Sequence, residues 1–468
     1  MNKYKNPEIS AHMSAPELRA ALAESESADV RAQISLLFDP DTFIETSAYT
    51  QRGFSDFLAT EKSNEFEGVI TGYGAIDGKL VFAFAEDSSR MGGYIDERHA
   101  KKITDLYKLA ISNGAPVIGI FSANGTDIFQ GTAGLAAYGR IISAVNSASG
   151  VIPQIAFVTG KCIGTAAAIA AMFDFLVKDT AAELYVSGAT DTPCAPVSFS
   201  DATAVCAGYI RSLVSFLPDN SSLGVSVSDT LDNLNRMLGD LNFAGEALAA
   251  VSVIADNGLY HEIGADYGKG ASTVFATVGG VKCGIVANSY AIDDGRITSC
   301  AAKKIARFVG FCNSFNLPVV TLVDSLGLST DENACGFAPA LASLASAYAS
   351  LTVPAVTVVT GHAIGAAFVL LGSKSLGADI VYALDDAEIG ALPAKSGVAF
   401  AWDKYITEEK TREELCAEWC NTVSSPARAA ASGEIDDIIS TSELRARICS
   451  ALLMLSKKGV CAPNRPTL

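Results

Sequence analysis

The sequence predicts an α/β protein built as two similar halves, each a largely parallel sheet covered by helices. Three observations lead there. Ala100-Lys101-Lys102-Ile103 recurs as Ala302-Lys303-Lys304-Ile305, and Pro116-Val117-Ile118 as Pro318-Val319-Val320, both at an offset of 202 (302−100 and 318−116). Pro153…Gly160…Gly164 recurs as Pro354…Gly361…Gly365 at an offset of 201 (354−153). Landmarks that stay in register this far mark a duplicated unit, and so long a period means two domains rather than a solenoid. Finally, residues 116–121 and 153–158 are uninterrupted apolar runs, the pattern of strands covered on both faces. Helical stretches between them imply right-handed crossovers.

Residues 1–65 are polar and helix-favouring, with Ala/Glu/Leu-rich stretches at 16–28 and 30–38, and are expected to form an N-terminal helical arm. Each half then runs strand, strand, helix, strand, loop, helix, strand, glycine turn, helix. In the first half, 68–74 and 79–85 read as strands joined by the Asp77-Gly78 hairpin turn. Residues 97–113 read as a helix that Asn113-Gly114 ends. The second half repeats the pattern at 281–288, 301–316, 318–323 and 354–359. The stretch 193–264 is richer in Ser, Asp and Asn, and the boundary is expected between 240 and 270, giving domains of 66–250 and 251–468. From Thr407 onward the chain is expected to be helical, with Glu, Lys and Arg spaced as on a solvated face.

The chain is long enough for two or three domains with substantial cores, at 468 residues. Its 34 basic and 51 acidic residues give a net charge of −17, which argues against a nucleic-acid or anionic-membrane surface. Partners should be proteins or small molecules. Eleven cysteines without CxxC pairs, and no signal peptide at Met1-Asn2-Lys3-Tyr4, point to reduced thiols in the cytoplasm. The long uncharged run 333–373 is broken by Pro339, Pro354, Gly361 and Gly365, so it reads as buried helix, strand and helix rather than a membrane span.

There is no GxSxG, GxxxxGK[ST], HExxH or strict GxGxxG, and His12, His99, His261 and His362 form no ligand cluster in sequence, so no metal site is expected. What each half offers is an apolar strand running through a glycine turn into an Ala-rich helix, at 159–167 and 360–367. The first amides of such a helix point outward unpaired at the positive end of its dipole and can hold an oxyanion without an ionisable side chain. Tight helix-on-sheet packing would explain the same small residues. A second glycine loop follows the central strand, Ser122-Ala123-Asn124-Gly125-Thr126 and Asp324-Ser325-Leu326-Gly327-Leu328, where ligands bind in open α/β sheets.

Further pieces run in a recognisable order over residues 65–400: Gly92-Gly93-Tyr94-Ile95…His99-Ala100-Lys101-Lys102-Ile103, Ala137-Tyr138-Gly139, Ser149-Gly150-Val151-Ile152-Pro153-Gln154, Tyr348-Ala349…Thr352-Val353-Pro354, Leu376-Gly377-Ala378-Asp379 and Ala387-Glu388-Ile389. In these the chain resembles the carboxyltransferase (beta/alpha-type) subunit family of biotin-dependent acyl-CoA carboxylases and decarboxylases. The resemblance implies a duplicated crotonase-type (ClpP/crotonase) ββα spiral fold with two pseudo-twofold-related domains. It implies that the N-terminal domain binds a short-chain acyl-CoA and the C-terminal domain faces biotin borne on a separate carboxyl carrier protein, a carboxyl group moving between the two. It assigns the oxyanion-holding, catalytic amides to Gly164 with Thr165 and to Gly365 with Ala366. Substrate binding falls to Gly92, Gly93, Asn124, Gly125, Asp127 and Gly327, with no metal.

The resemblance also implies shared sites in a homo-oligomer, a dimer or hexamer, or in a hetero-oligomer with a related subunit. The chain departs from the family at several places. Thr165 and Ala366 stand where the family has a second glycine, Asp127 where it has an arginine, and Pro339-Ala340 and Gly361-His362 where it has basic pairs. Contacts of such cations with phosphate or carboxylate are worth about 1.5–3 kcal/mol each. Two functions therefore remain open: an active carboxyltransferase or decarboxylase subunit, and a catalytically weak paralogue acting as a structural or regulatory partner. None of the six methionines precedes a lysine, so the chain lacks a biotin attachment motif of its own. Streptavidin blotting of the purified protein is expected to give no covalent signal; a covalent signal would refute this.

Overall fold

The computed structural model describes residues 13–25, 28–51, 66–90, 93–126, 130–187, 196–238, 243, 245–330, 334–407 and 410–458. It divides into two compact units between Ser222 and Leu223. The first unit opens with α1 (Ala15–Ser25), α2 (Ala28–Leu37) and β1 (Ile44–Thr46). The hairpin of β2 (Val69–Ile76) and β3 (Lys79–Glu86) follows, then β4 (Tyr94–Ile95), α3 (Glu97–Asn113), β5 (Val117–Phe121), β6 (Gly125–Thr126) and α4 (Thr132–Ala148). The unit is completed by β7 (Gln154–Val158), β8 (Lys161–Ile163), α5 (Thr165–Met172), β9 (Phe175–Asp179), β10 (Glu183–Tyr185), β11 (Phe199–Asp201) and α6 (Thr203–Phe216). Its main sheet has the order β1-β2-β3-β5-β7-β9-β11. The β1–β2–β3 edge is antiparallel and the rest parallel.

The second unit begins with α7 (Ala247–Ile254), β12 (Tyr260–Ile263), and the hairpin of β13 (Ala271–Val278) and β14 (Val281–Asn288). Next come α8 (Ser299–Ser314), β15 (Val319–Ser325), α9 (Ala334–Ala349), β16 (Ala355–Ile364), α10 (Ala366–Leu370), β17 (Ile380–Leu384) and β18 (Glu388–Gly390). Short α11 (Ala394–Gly397), α12 (Arg412–Thr422), α13 (Pro426–Ala431), β19 (Asp437–Ile439) and α14 (Leu444–Leu455) close the chain. The strand order, β12-β13-β14-β15-β16-β17-β19, matches that of the first unit. Both units thus carry the crotonase-type ββα repeat, and the run 333–373 is the expected helix, strand and helix. No helix among the described residues is long and apolar enough to cross a membrane.

The duplication extends to individual bonds. Asp77 and Gly78 turn the first hairpin with φ of 49° and 78°, and Gly279 and Gly280 turn the second with 60° and 79°, the left-handed values that two-residue hairpin loops need. Asp96 caps α3 by accepting from the His99 amide at 2.8 Å, and Thr298 caps α8 from the Ala301 amide at 3.1 Å. Lys102 Nζ donates to the Val69 carbonyl at 2.5 Å, and Lys304 Nζ to the Ala271 carbonyl at 2.8 Å. Burial pulls both lysines down to about 8.

Three sequence expectations differ from the structure. The N-terminal 65 residues are not only a helical arm: β1 pairs with β2, and α2 buries Val30, Ile34 and Leu37. The unit division falls before the expected 240–270 span, because α7 packs Ala247, Ala250, Val251 and Ile254 into the second core. The tail after Thr407 is not all solvated helix. Its β19 pairs with β17, and α14 buries Arg445, Ile448 and Leu452.

Arg445 is fully buried, 2.7 Å from Asp256 Oδ1 and 3.3 Å from Asp232. Asp256 in turn accepts the Gly279 and Gly280 amides at 2.8 and 2.9 Å, which ties the last helix to the hairpin turn. Arg445→Leu leaves Asp256 buried without its cation and is expected to lower stability by about 3–5 kcal/mol, read as the urea unfolding midpoint. An unchanged midpoint would contradict this role.

Candidate active site

Each unit ends a strand segment of its parallel sheet with the same glycine turn. Gly164 has φ 61° and ψ −125°, and Gly365 φ 56° and ψ −125°, a combination open essentially to glycine. They stand immediately before α5 and α10. The Gly164 amide donates to the Tyr185 carbonyl at 3.0 Å and the Gly365 amide to the Gly390 carbonyl at 2.8 Å, so each turn is pinned by a short strand, β10 or β18. Both glycine amides are thereby engaged within the fold. The donors a helix start leaves over begin at Thr165 and at Ala366, whose side chains do not remove them.

The second glycine loop is duplicated as closely. Gly125 has φ 108° and Gly327 has φ 117°. The Asn124 amide donates to the Gly93 carbonyl at 2.6 Å, and the Leu326 amide to the Asp294 carbonyl at 3.0 Å. The Ala123 amide donates to the Lys161 carbonyl at 2.8 Å, which lays this loop beside β8. A Cβ on Gly160 would collide with Ser122, and one on Gly361 with the Asp324 carboxylate. A Cβ on Gly327 would sit 3.5 Å from the Ile364 carbonyl, next to Gly365. The structure therefore brings Gly93, Asn124 and Gly125 together, and sets Gly327 against the turn of Gly365. Gly92 and Asp127 lie outside the described residues.

Several residues at these loops were given no role in the site by the sequence. Glu86 accepts the Ser122 amide at 2.9 Å. His99, buried, lies between Glu67 at 3.4 Å and Glu86 at 3.7 Å. Burial acts to lower the His99 pKa, but the two carboxylates outweigh it and lift it to about 9, so the imidazolium underlies the loop at Ser122. In the second unit a cavity of about 380 Å³ is lined by Asn288, Tyr290, Asp324, Thr360 and His362, among others. The His362 and Asp324 side chains meet at 2.8 Å through Nδ1 and Oδ1. Gly295, with φ 65°, is the second-unit counterpart of Gly93 (295−93 = 202). The 202-residue offset alone could have found it. No group of three or more His, Cys, Asp or Glu among the described residues could hold a metal ion.

Residues 26–192 and 195–467 match the Carboxyl transferase domain family. Methylmalonyl-CoA decarboxylase subunit alpha of Veillonella parvula is 33% identical over 464 residues, 92% of this chain and 90% of that protein. The mitochondrial propionyl-CoA carboxylase beta chain of Homo sapiens is 34% identical over 473 residues, 93% of this chain and 86% of that protein. A solved structure of transcarboxylase 12S, a hexamer with methylmalonyl-coenzyme A and methylmalonic acid bound, superposes with a TM-score of 0.84 at 29% identity, covering 94% of this chain and 91% of that one.

The pKa of His99 is raised above its unfolded value, so its stabilisation is fully present below about pH 6.5 and is lost as pH rises through about 9. Between pH 6.5 and about 9 this single group makes stability fall by up to about 1.4 kcal/mol per pH unit, and the opposing rise as Lys102 and Lys304 lose their protons near 8 is common to wild type and variant. Urea midpoints of the wild type and His99→Gln are expected to differ by that slope; parallel curves would contradict it.

Proposed function

We propose, from the premise that the chain belongs to the Carboxyl transferase domain family, that it is the carboxyltransferase subunit of a biotin-dependent acyl-CoA carboxylase or decarboxylase. It exchanges a carboxyl group between a short-chain acyl-CoA and biotin carried on a separate protein. The observation that carries this reading is the recurrence of two glycine conformations, Gly125 with Gly164 and Gly327 with Gly365, at matching places in the two units. One site of this kind polarises one carbonyl; carboxyl transfer between a thioester and a urea needs two.

In the first unit the amides from Thr165 onward hold the thioester oxygen as negative charge develops on it, the form of stabilisation a preorganised backbone supplies without reorganising. Gly93, Asn124 and Gly125 shape the adjoining loop for the acyl-CoA. In the second unit the turn of Gly365 and Ala366, with Gly327 against it, serves the biotin side. The substrates named in the similar proteins, methylmalonyl-CoA and propionyl-CoA, are the acyl-CoAs to try first, and the hexamer of the 12S neighbour is the assembly to expect. A cytoplasmic setting accords with eleven cysteines lacking pairing motifs.

Propionyl-CoA and methylmalonyl-CoA are expected to bind the wild type and raise its unfolding temperature by mass action. Asp127→Arg, which restores the family's cation, is expected to tighten binding by about tenfold to a hundredfold, read by calorimetry. Binding by neither the wild type nor this variant, with both folded, would overturn the enzyme reading and favour a non-catalytic partner.

A further inference from the structure

Beneath the glycine loop of the first unit lies a charged cluster that the second unit does not repeat. His99, 2% exposed, has Nδ1 3.4 Å from Glu67 Oε1 and Nε2 3.7 Å from Glu86 Oε1. Neither ring nitrogen makes a directed hydrogen bond to a described residue. Charge therefore holds the ring between the two carboxylates, and charge acts strongly where water is absent. Glu67 is fixed from behind by the Gly68 amide at 2.9 Å, and Asp96 accepts the His99 amide at 2.8 Å. Glu86 turns one oxygen to the ring and the other to the loop, where it accepts the Ser122 amide at 2.9 Å. From Ser122 the contacts run into the oxyanion turn. Its Oγ donates to Ser88 Oγ at 3.1 Å, and its side chain fills the space that a Cβ on Gly160 would need. The Thr159 and Gly160 amides donate to the Phe121 carbonyl at 3.2 and 3.3 Å, and the Ala123 amide to the Lys161 carbonyl at 2.8 Å. Ser122 is thus laced on both sides to the segment 159–161 that leads into Gly164. The second unit has Lys269, Asn288, Ala301 and Asp324 in place of Glu67, Glu86, His99 and Ser122 (269−67, 288−86, 301−99 and 324−122 are each 202). The bridge from a buried imidazole to the loop belongs to the first unit alone.

We propose that His99 is a positioning residue of the acyl-CoA site and acts through Glu86: the imidazolium keeps the Glu86 carboxylate on the Ser122 amide, and Ser122 steadies the turn that presents the donors from Thr165 onward. The link to acyl-CoA rests on the function proposed above, whereas the link from His99 to the Ser122 amide does not. The charged and titratable groups around the ring are Glu67 before β2, Glu86 and Asp87 at the end of β3, Arg90 beside Asp87, Asp96 and Lys102 at the start of and within α3, and Tyr138 on α4, which Glu86 affects. Four of these are carboxylates, against the cations His99, Arg90 and Lys102. A neutral His99 leaves Glu67 and Glu86 buried with no cation between them, which is costly enough to move one of them. Burial acts to lower the His99 pKa and the two carboxylates lift it to about 9. The bridge is therefore present below that pH and lost as pH rises through it. Lys102, pulled down by burial to about 8, titrates nearby, so the variants must separate the two.

The test combines millisecond hydrogen exchange at the Ser122 amide with turnover of methylmalonyl-CoA in the presence of free biotin, on the full-length wild type, His99→Gln and Glu67→Gln. Exchange at Ser122, corrected for the chemical rate at each pH and taken relative to the amides of β5, is expected to quicken by about tenfold or more as the wild type passes about pH 9. In His99→Gln it should be fast at every pH, although Lys102 is still present. Glu67 touches the ring but not the loop, so Glu67→Gln should move the transition to lower pH. His99→Gln should also lower kcat by about tenfold to a hundredfold, the effect of misplaced donors, with a smaller change in KM. If neither variant folds, the wild-type transition at Ser122 decides. Exchange at Ser122 that stays flat through pH 9 in the wild type, or a transition that Glu67→Gln leaves unmoved, would overturn the role of His99 while leaving the carboxyltransferase reading intact. A transition that moves as expected in a protein that turns over no acyl-CoA would do the reverse.

Discussion

A glycine near φ +60° and ψ −125°, pinned by a backbone hydrogen bond from a short neighbouring strand, closes the strand that leads into a helix in each unit. The site geometry depends on this constraint. Because the pinning bond occupies the glycine's own amide, the next residues must supply the outward donors, and the conformation at 164 and 365 admits no side chain. Gly160 and Gly361 permit the second half of the arrangement, since a Cβ at either would strike the loop residue Ser122 or Asp324. The parallel sheet does the rest by delivering both loops to the carboxyl ends of adjacent strands.

What the two copies kept and what they changed follow different rules. Helix caps at Asp96 and Thr298, hairpin glycines, and the buried lysines 102 and 304 recur because they satisfy backbone groups that both folds expose in the same way. Side chains around the loops had no such restraint. In the first unit Glu67, Glu86 and His99 form a buried charged cluster beneath the loop at Ser122. In the second, His362, Asp324 and Tyr290 line a cavity. One backbone design thus presents two chemically unlike surfaces, as a reaction between two unlike substrates requires.

The repeat, the strands, the glycine turns and the family were legible in the sequence, because each is a local pattern or a fixed spacing. The short strands β1 and β19 were not, since three residues paired to a sheet edge carry no periodicity of their own. The histidine clusters were equally hidden: His362 and Asp324 are 38 residues apart, and only the alignment of β15 with β16 joins them. His362 was noted only as a lost cation, although the same position gained a carboxylate-bound imidazole.

The central claim, that the duplicated turns serve two different carbonyls in one carboxyl transfer, is tested most directly by following the label from carboxyl-labelled methylmalonyl-CoA into free biotin with the purified protein. The account predicts labelled carboxybiotin or labelled carbon dioxide that appears only when biotin is present. Release of no label from methylmalonyl-CoA or malonyl-CoA by a folded, assembled protein with biotin present would contradict it.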